Sequence, residues 1–368
     1  MSSILSNFNP AKLLGNMFAN NQSVIGIDIG SSSVKIVQLK KKRGHPVLET
    51  YGELALGPYA KLSVGQATNL AAVQIGEAIR DLIREANVTA KLAAIALPLH
   101  SSLLTVIELP AYKEEQINSM VPLEARKHIP VPISEVTLDW WVIPKHDFHG
   151  PAGEQSSPVK STNTEVLLVA IHKSTLKKFQ EVSATLGISV KTYEVETFSA
   201  MRSCLARDIS AMAMLDVGAS TSKLTIVDYG VVRVSHVINK GSQDLSVAMA
   251  SAKNVTFAEA EKEKRQVGIV NAPGLSASLD FIFYEAASTI AEYEKRHARQ
   301  VGKVICTGGG SLLKDFIKMA SSRFNSEIVL GTPFDKVESP AFLAGLLAEA
   351  GPEFAVALGL ALHELEEV

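Results

Sequence analysis

Short apolar runs bounded by turn residues alternate along the chain with longer stretches of helical period. The first run, V-I-G-I-D-I at 24–29, carries Asp28 near its end and is followed by Gly30 and three serines. Lys35 then lies in a second apolar run at 34–39. This predicts a hairpin whose tight turn presents N–H groups and hydroxyls beside one carboxylate, a suitable seat for a phosphate. A third strand is expected at 47–56, and Leu70, Val73, Ala78, Ile79, Leu82 and Ile83 share one face of a helix over 70–86. Strands follow at 92–97 and 103–109, a helix at 113–128 ended by I-P-V-P, and a strand at 136–143 with Trp140 and Trp141. The stretch 146–163 is rich in Gly, Pro, Ser and Thr and reads as a loop. Adjacent on a strand, the two tryptophans point to opposite faces, one to a core and one open to a peptide groove.

After a strand at 165–171, a helix at 173–186 stopped by Gly187, a strand at 190–193 and a helix at 197–207, the opening pattern returns. Residues 213–224 repeat apolar strand, Asp216, Gly218, small hydroxylated residues and Lys223. Setting Asp28 on Asp216 places Gly30 on Gly218, Ser31 on Ala219, Ser32 on Ser220 and Lys35 on Lys223. A strand at 231–238 follows, as 47–56 does the first copy. Internal similarity of this kind predicts two related halves facing each other. Helices are expected at 243–253, 257–266 and 275–299. A buried strand at 301–306 runs into Thr307, Gly308, Gly309, Gly310 and Ser311, expected to open a helix at 312–323, with a last strand at 328–330.

Composition narrows the class. Of 368 residues, 46% are hydrophobic and 20% charged, which fits a packed α/β protein. A net charge of −2 offers no footprint for nucleic acid. Cys204 and Cys306 lack metal-ligand spacing, which favours a reducing compartment over a disulfide scaffold. The start shows no compact apolar core of a signal peptide, and residues 10–20 read as a short amphipathic helix in a leader. The apolar stretch 342–362 is broken by Glu349, Gly351, Pro352 and Glu353 into two helical pieces, so a cytoplasmic, soluble chain is expected.

Together the three turns describe a nucleotide site. Gly30, Ser31, Ser32, Ser33 and Lys35 form one phosphate jaw, with Gly218, Ala219, Ser220 and Thr221 as the other. Asp28 and Asp216 would hold one hydrated Mg²⁺ through water, a cation that prefers to keep much of its hydration. Gly308, Gly309, Gly310 and Ser311 would leave room for a flat base and sugar. No residue stands out as positioning a water for hydrolysis, although Asp28 or Asp216 can assist. No nucleophilic triad or metal cluster is visible among the histidines and cysteines.

The order of these turns resembles the actin-like ATPase superfamily: 24–35 and 215–222 are similar to its phosphate loops, and 304–311 to its adenosine motif. A-E-x-x-K ending at Lys264 and followed by Gly268 is similar to the segment whose Glu and Lys flank the nucleotide sugar in bacterial actins, which implies sugar-side roles for Glu261 and Lys264. The phrases at 26–35, 130–140 and 354–362 look most like the PilM family of type IV pilus assembly, in the FtsA-like branch. The resemblance implies a duplicated, ribonuclease H-like α/β fold with two lobes around a cleft and an FtsA-type (SHS2) unit inserted in the first. On it, 23–90 and 164–210 are the first lobe, 91–163 the insert, 211–240 and 300–368 the second lobe, and 241–299 its helical subdomain, after a leader at 1–22. It implies ATP and Mg²⁺ as cofactors and a slow ATPase or nucleotide switch. As partners it implies the N-terminal cytoplasmic tail of the inner-membrane protein PilN and other pilus proteins, held at the inner membrane in support of twitching motility, with self-association open. The acidic end, E-L-E-E-V, departs from the basic membrane helix of FtsA. An FtsA-like polymer former, a sugar kinase of the same superfamily and an adaptor with a vestigial site are the alternatives.

Overall fold

Two five-stranded sheets of the same topology, joined by crossing helices, carry the architecture. The computed structural model describes residues 22–110, 114–144, 163–206, 208–268 and 276–367. The expected helix at 10–20 and nearly all of the loop at 146–163 lie outside them, as does Arg207.

The opening hairpin is β1 (Ser23–Ile29) and β2 (Ser33–Lys42), continued by β3 (His45–Ala55) in an antiparallel meander. Helix α1 (Ala72–Glu85) leads to β4 (Leu92–Leu97), which pairs in parallel with β1. A separate unit follows: β5 (Ser102–Leu109), α2 (Glu114–Ala125), β6 (Val136–Val142) and β7 (Thr164–His172), with strand order β5-β7-β6. Helix α3 (Lys173–Ala184) returns to β8 (Ser189–Val195), completing the first sheet as β3-β2-β1-β4-β8, and α4 (Glu196–Cys204) leaves it.

The second half repeats this plan. Strands β9 (Met212–Val217), β10 (Ser222–Asp228) and β11 (Val231–Ile238) form the meander. Helices α5 (Ser242–Lys253), α6 (Phe257–Val267) and α7 (Ser276–His297) precede β12 (Lys303–Thr307), which is parallel to β9. A short helix α8 (Phe316–Ser321) leads to β13 (Glu327–Leu330), giving the order β11-β10-β9-β12-β13. Helices α9 (Ala344–Ala350) and α10 (Ala355–Glu367) end the described chain.

Strand periodicity distributes the core between the two faces of the first sheet. Ile25 and Ile27 point to the side covered by α1 and α3, whereas Val24 points to α10. Gly26 permits that second contact: a Cβ there would lie 2.0 Å from the carbonyl oxygen of Ala357. Helix α10 also crosses α4, where a Cβ on Gly359 would lie 1.8 Å from the oxygen of Ser199. Residues 341–367 are long and apolar enough to cross a membrane by length and composition. Nearly every residue of α10 is nonetheless buried against β1, β2, β4 and α4.

Three expected divisions shift. Strand β4 belongs to the first sheet and β7 is the central strand of the inserted one, so the insert runs over 99–172 rather than 91–163. The reason is that parallel β1–β4 and antiparallel β5–β7 pairing joins segments distant in sequence. Helix α10, expected with the second lobe, lies on the first sheet. The helix expected at 312–323 is instead a 3₁₀ turn (Gly309–Leu312) and the short α8, separated at Asp315, whose φ is 63°.

Candidate functional site

Each hairpin turn is closed in the same way. The N–H of Gly30 donates to the carbonyl of Ser33, and that of Gly218 to Thr221, both at 3.0 Å. The registers match as well: Asp28 lies opposite Lys35, and Asp216 opposite Lys223. Opposed residues of an antiparallel pair share a face, so each hairpin sends one carboxylate and one ammonium group to the same side. The two sides face each other across a cleft of about 370 Å³, within the range of ligand sites.

The cleft brings together Asp28, Gly30, Ser31, Ser32, Ser33 and Lys35 from the first hairpin with Asp216, Gly218, Ala219, Ser220 and Thr221 from the second. Glu261, Lys264, Gly308, Gly309 and Gly310 complete the wall. Ser311 is the exception: it is buried and does not line the cleft, because its hydroxyl donates to the carbonyl of Gly308 at 2.7 Å. Gly308 adopts φ 79°, and a Cβ there would meet Oδ1 of Asp216 at 2.3 Å, so glycine is required for β12 to run beside β9 and turn. The lobes touch where Ser220 Oγ donates to Ser31 Oγ at 3.0 Å. A loop over residues 57–71 adds a strap: the N–H of Ala67 donates to Oε1 of Gln243 at 2.9 Å, and Gly65 lies against the Glu261 carboxylate.

The charges are held in place before any ligand arrives. Lys35 Nζ bonds Ser33 Oγ at 2.7 Å and Glu53 Oε1 at 3.0 Å. Lys223 Nζ bridges Glu196 Oε2 at 2.7 Å and Asp216 Oδ2 at 3.0 Å. Burial works against the Lys223 charge, but these two carboxylates hold its pKa above the ordinary lysine range. Lys264 is almost fully buried, bonded to Glu261 at 2.6 Å and to the carbonyl of Ser242 at 3.0 Å. Glu261 also accepts from Ser246 and Arg265. Burial pushes its pKa up, but Lys264, Ser246 and Arg265 together hold it below the ordinary value.

Asp28 stands apart. Its pKa is pushed up to about 7, first by burial and then by Glu196 and Asp216, against the pull of Lys35 and Lys223. Carboxylates outnumber cationic groups in the cleft, since Glu53, Glu196 and Glu353 join Asp28, Asp216 and Glu261. A polyphosphate entering such a site must bring a cation with it. No cluster of three acidic, His or Cys groups able to hold a metal occurs among the described residues. Two carboxylates beside a phosphate seat fit Mg²⁺, which is held by few protein ligands together with water and phosphate.

Sequence reading does not reach Glu53, Glu196 or Glu353. Glu53 lies opposite Lys35 in the β2–β3 register, a pairing visible only once β3 is aligned. Glu196 begins α4, one residue before the expected helix start. Glu353 sits in the 3₁₀ turn before α10 and has its pKa raised, chiefly by burial and then by Glu53.

The family described as Type IV pilus assembly protein PilM matches this chain over residues 26–365. Among solved structures, the PilM–PilN type IV pilus biogenesis complex is similar with a TM-score of 0.78 at 22% identity, covering 94% of this chain and 99% of that one. Ethanolamine utilization protein EutJ from Carboxydothermus hydrogenoformans is similar at a TM-score of 0.53 and 15% identity, with 94% and 92% covered. The likeness to these structures identifies the architecture as the actin-like α/β fold.

Proposed function

The chain belongs to the PilM family of type IV pilus assembly proteins, and on that premise we propose that it is an ATP-binding platform which grips the N-terminal tail of the membrane protein PilN. The observation that carries the nucleotide reading is the convergence of two matched Asp–Lys hairpins and a triglycine turn on one cleft. Ser31, Ser32, Ser220 and Thr221 supply hydroxyls to phosphate oxygens from both lobes, and Lys35 and Lys223 supply positive charge. Ser31 corresponds to Ala219 in the aligned turns, so counting Ser33, whose hydroxyl also accepts from Lys35, the first jaw carries three hydroxyls against two. Gly308, Gly309 and Gly310 admit the adenosine, with Glu261 and Lys264 on its sugar side. When bound, Mg²⁺ neutralises phosphate charge. Asp28 and Asp216 would hold it through water, which requires Asp28 to lose its proton. Turnover is slow, and a switch between open and closed lobes is the main role.

The partner reading rests on the family and on a likeness to a protein solved together with PilN. The tail is assigned to the groove between the first lobe and the inserted unit, although neither tryptophan of β6 is left open for it. Trp140 faces the unit's own core with α2, and Trp141 faces the first-lobe core, both half-buried. We place the protein in the cytoplasm, peripheral to the inner membrane through its partners. A pull-down with the membrane-proximal tail of PilN, with and without ATP–Mg²⁺, tests this role. Retention of the tail is expected, and absence in both conditions overturns the partner reading while leaving the nucleotide site standing.

A further inference from the structure

The inserted unit joins the first sheet through the short turn between β4 and β5, and this turn is tied to the cleft by one side chain. Leu99, 1% exposed, opens a 3₁₀ turn at Leu99–Ser101. Early N–H groups of such a turn have no partner within it. The N–H of Leu99 donates to Oε1 of Glu196 at 2.6 Å. The other oxygen of the same carboxylate accepts from Lys223 Nζ at 2.7 Å. Lys223 comes from the opposite lobe and also holds Asp216. Glu196 is 8% exposed, so neither of its two contacts is replaced cheaply by water.

We infer that Glu196 is a positioning residue that couples the phosphate jaw of the second lobe to the root of the inserted unit. The inference rests on the nucleotide reading of the cleft. A triphosphate beside Lys223 competes with Glu196 for its ammonium donors. The carboxylate then loses its second-lobe anchor, and its hold on the Leu99 N–H loosens. The root of the insert is thereby released when the cleft fills, and held when it is empty or holds a ligand without terminal phosphates. Coupling of this kind is reciprocal: a partner that fixes the insert changes nucleotide affinity by the same factor.

Amide hydrogen exchange at Leu99, read on the full chain, tests the inference. With a non-hydrolysable ATP analogue and Mg²⁺ the Leu99 amide should exchange at least tenfold faster than in the free protein, whereas AMP should change it less than twofold. In Glu196→Gln, whose side-chain oxygen can still accept from Leu99 but which has no charge to pair with Lys223, the analogue should produce less than a twofold change. Unchanged or slower exchange with the analogue, an equal acceleration by AMP, or a full tenfold response in Glu196→Gln overturns the relay. Calorimetry on the same samples separates the two readings. Failure of the analogue to bind overturns the nucleotide site and the relay with it, whereas binding without the Leu99 response overturns the relay alone.

Discussion

Replacing Asp28 by Asn should make the ligand-free protein more stable in alkali while weakening its response to Mg²⁺. The Asp28 pKa is about 7 in the folded protein against an ordinary 3.8. The folded state therefore binds this proton more tightly than the unfolded chain. The stability it confers is full below the ordinary value and is lost as pH rises through 7. At about 1.4 kcal/mol per tenfold change in acid constant, ionising Asp28 in the fold costs about 4 kcal/mol in all. Roughly 3 kcal/mol of that falls between pH 5 and pH 8, an upper limit because the cleft admits water. Asn carries no such linkage. Scanning calorimetry of both proteins without nucleotide should show the wild type losing stability relative to Asp28→Asn across this range. ATP–Mg²⁺ should reverse the order at pH 8, because the ionised carboxylate is then beside a cation. Parallel pH curves for the two proteins would refute the assignment of the raised acid to Asp28.

Three further substitutions probe the frame and the wall. Gly359→Ala drives a methyl group into the Ser199 carbonyl where α4 and α10 cross; a loss of about 3 kcal/mol of unfolding free energy is expected by denaturant titration, and a neutral result would contradict the crossing. Arg202→Ala strips buried Glu194 of its bonds at 2.8 and 2.6 Å, which should cost about 3–5 kcal/mol. In the wild type burial pushes the Glu194 pKa up, but Arg202, with His363 and Ser199, holds it low, so the variant's deficit should grow from pH 5 to pH 8 as the carboxylate ionises without its guanidinium. Gly308→Ala places a Cβ at positive φ and against Asp216. Nucleotide affinity measured by fluorescence titration should fall at least tenfold, on the order of 1.4 kcal/mol.

The two jaws were legible because their signals are local. An apolar run, Asp, Gly, hydroxyls and Lys fix a hairpin within a dozen or so residues, and a second copy declares the duplication. What depends on distant partners was not. Whether β4 pairs with β1 or with β5 is decided by pairing across a long separation, and its uniform L-A-A-I-A-L favours neither face. Helix α10 is apolar nearly all round, so its pattern does not say which sheet it covers. Glu196 reads as an ordinary first-turn acid until Lys223 arrives from the other lobe. Ser311 shows the opposite failure: the turn's composition suggested a ligand hydroxyl, but a local bond to Gly308 uses it.

The two Asp–Lys hairpins are expected to clasp one nucleotide together with its cation. Isothermal titration of ATP into the wild type and into Asp216→Ala, each with Mg²⁺ and with chelator, tests it most directly. One site per chain is expected in the wild type, with affinity at least tenfold weaker in chelator and a similar loss in Asp216→Ala with Mg²⁺ present. Equal affinity for ATP–Mg²⁺ in the two proteins would contradict it.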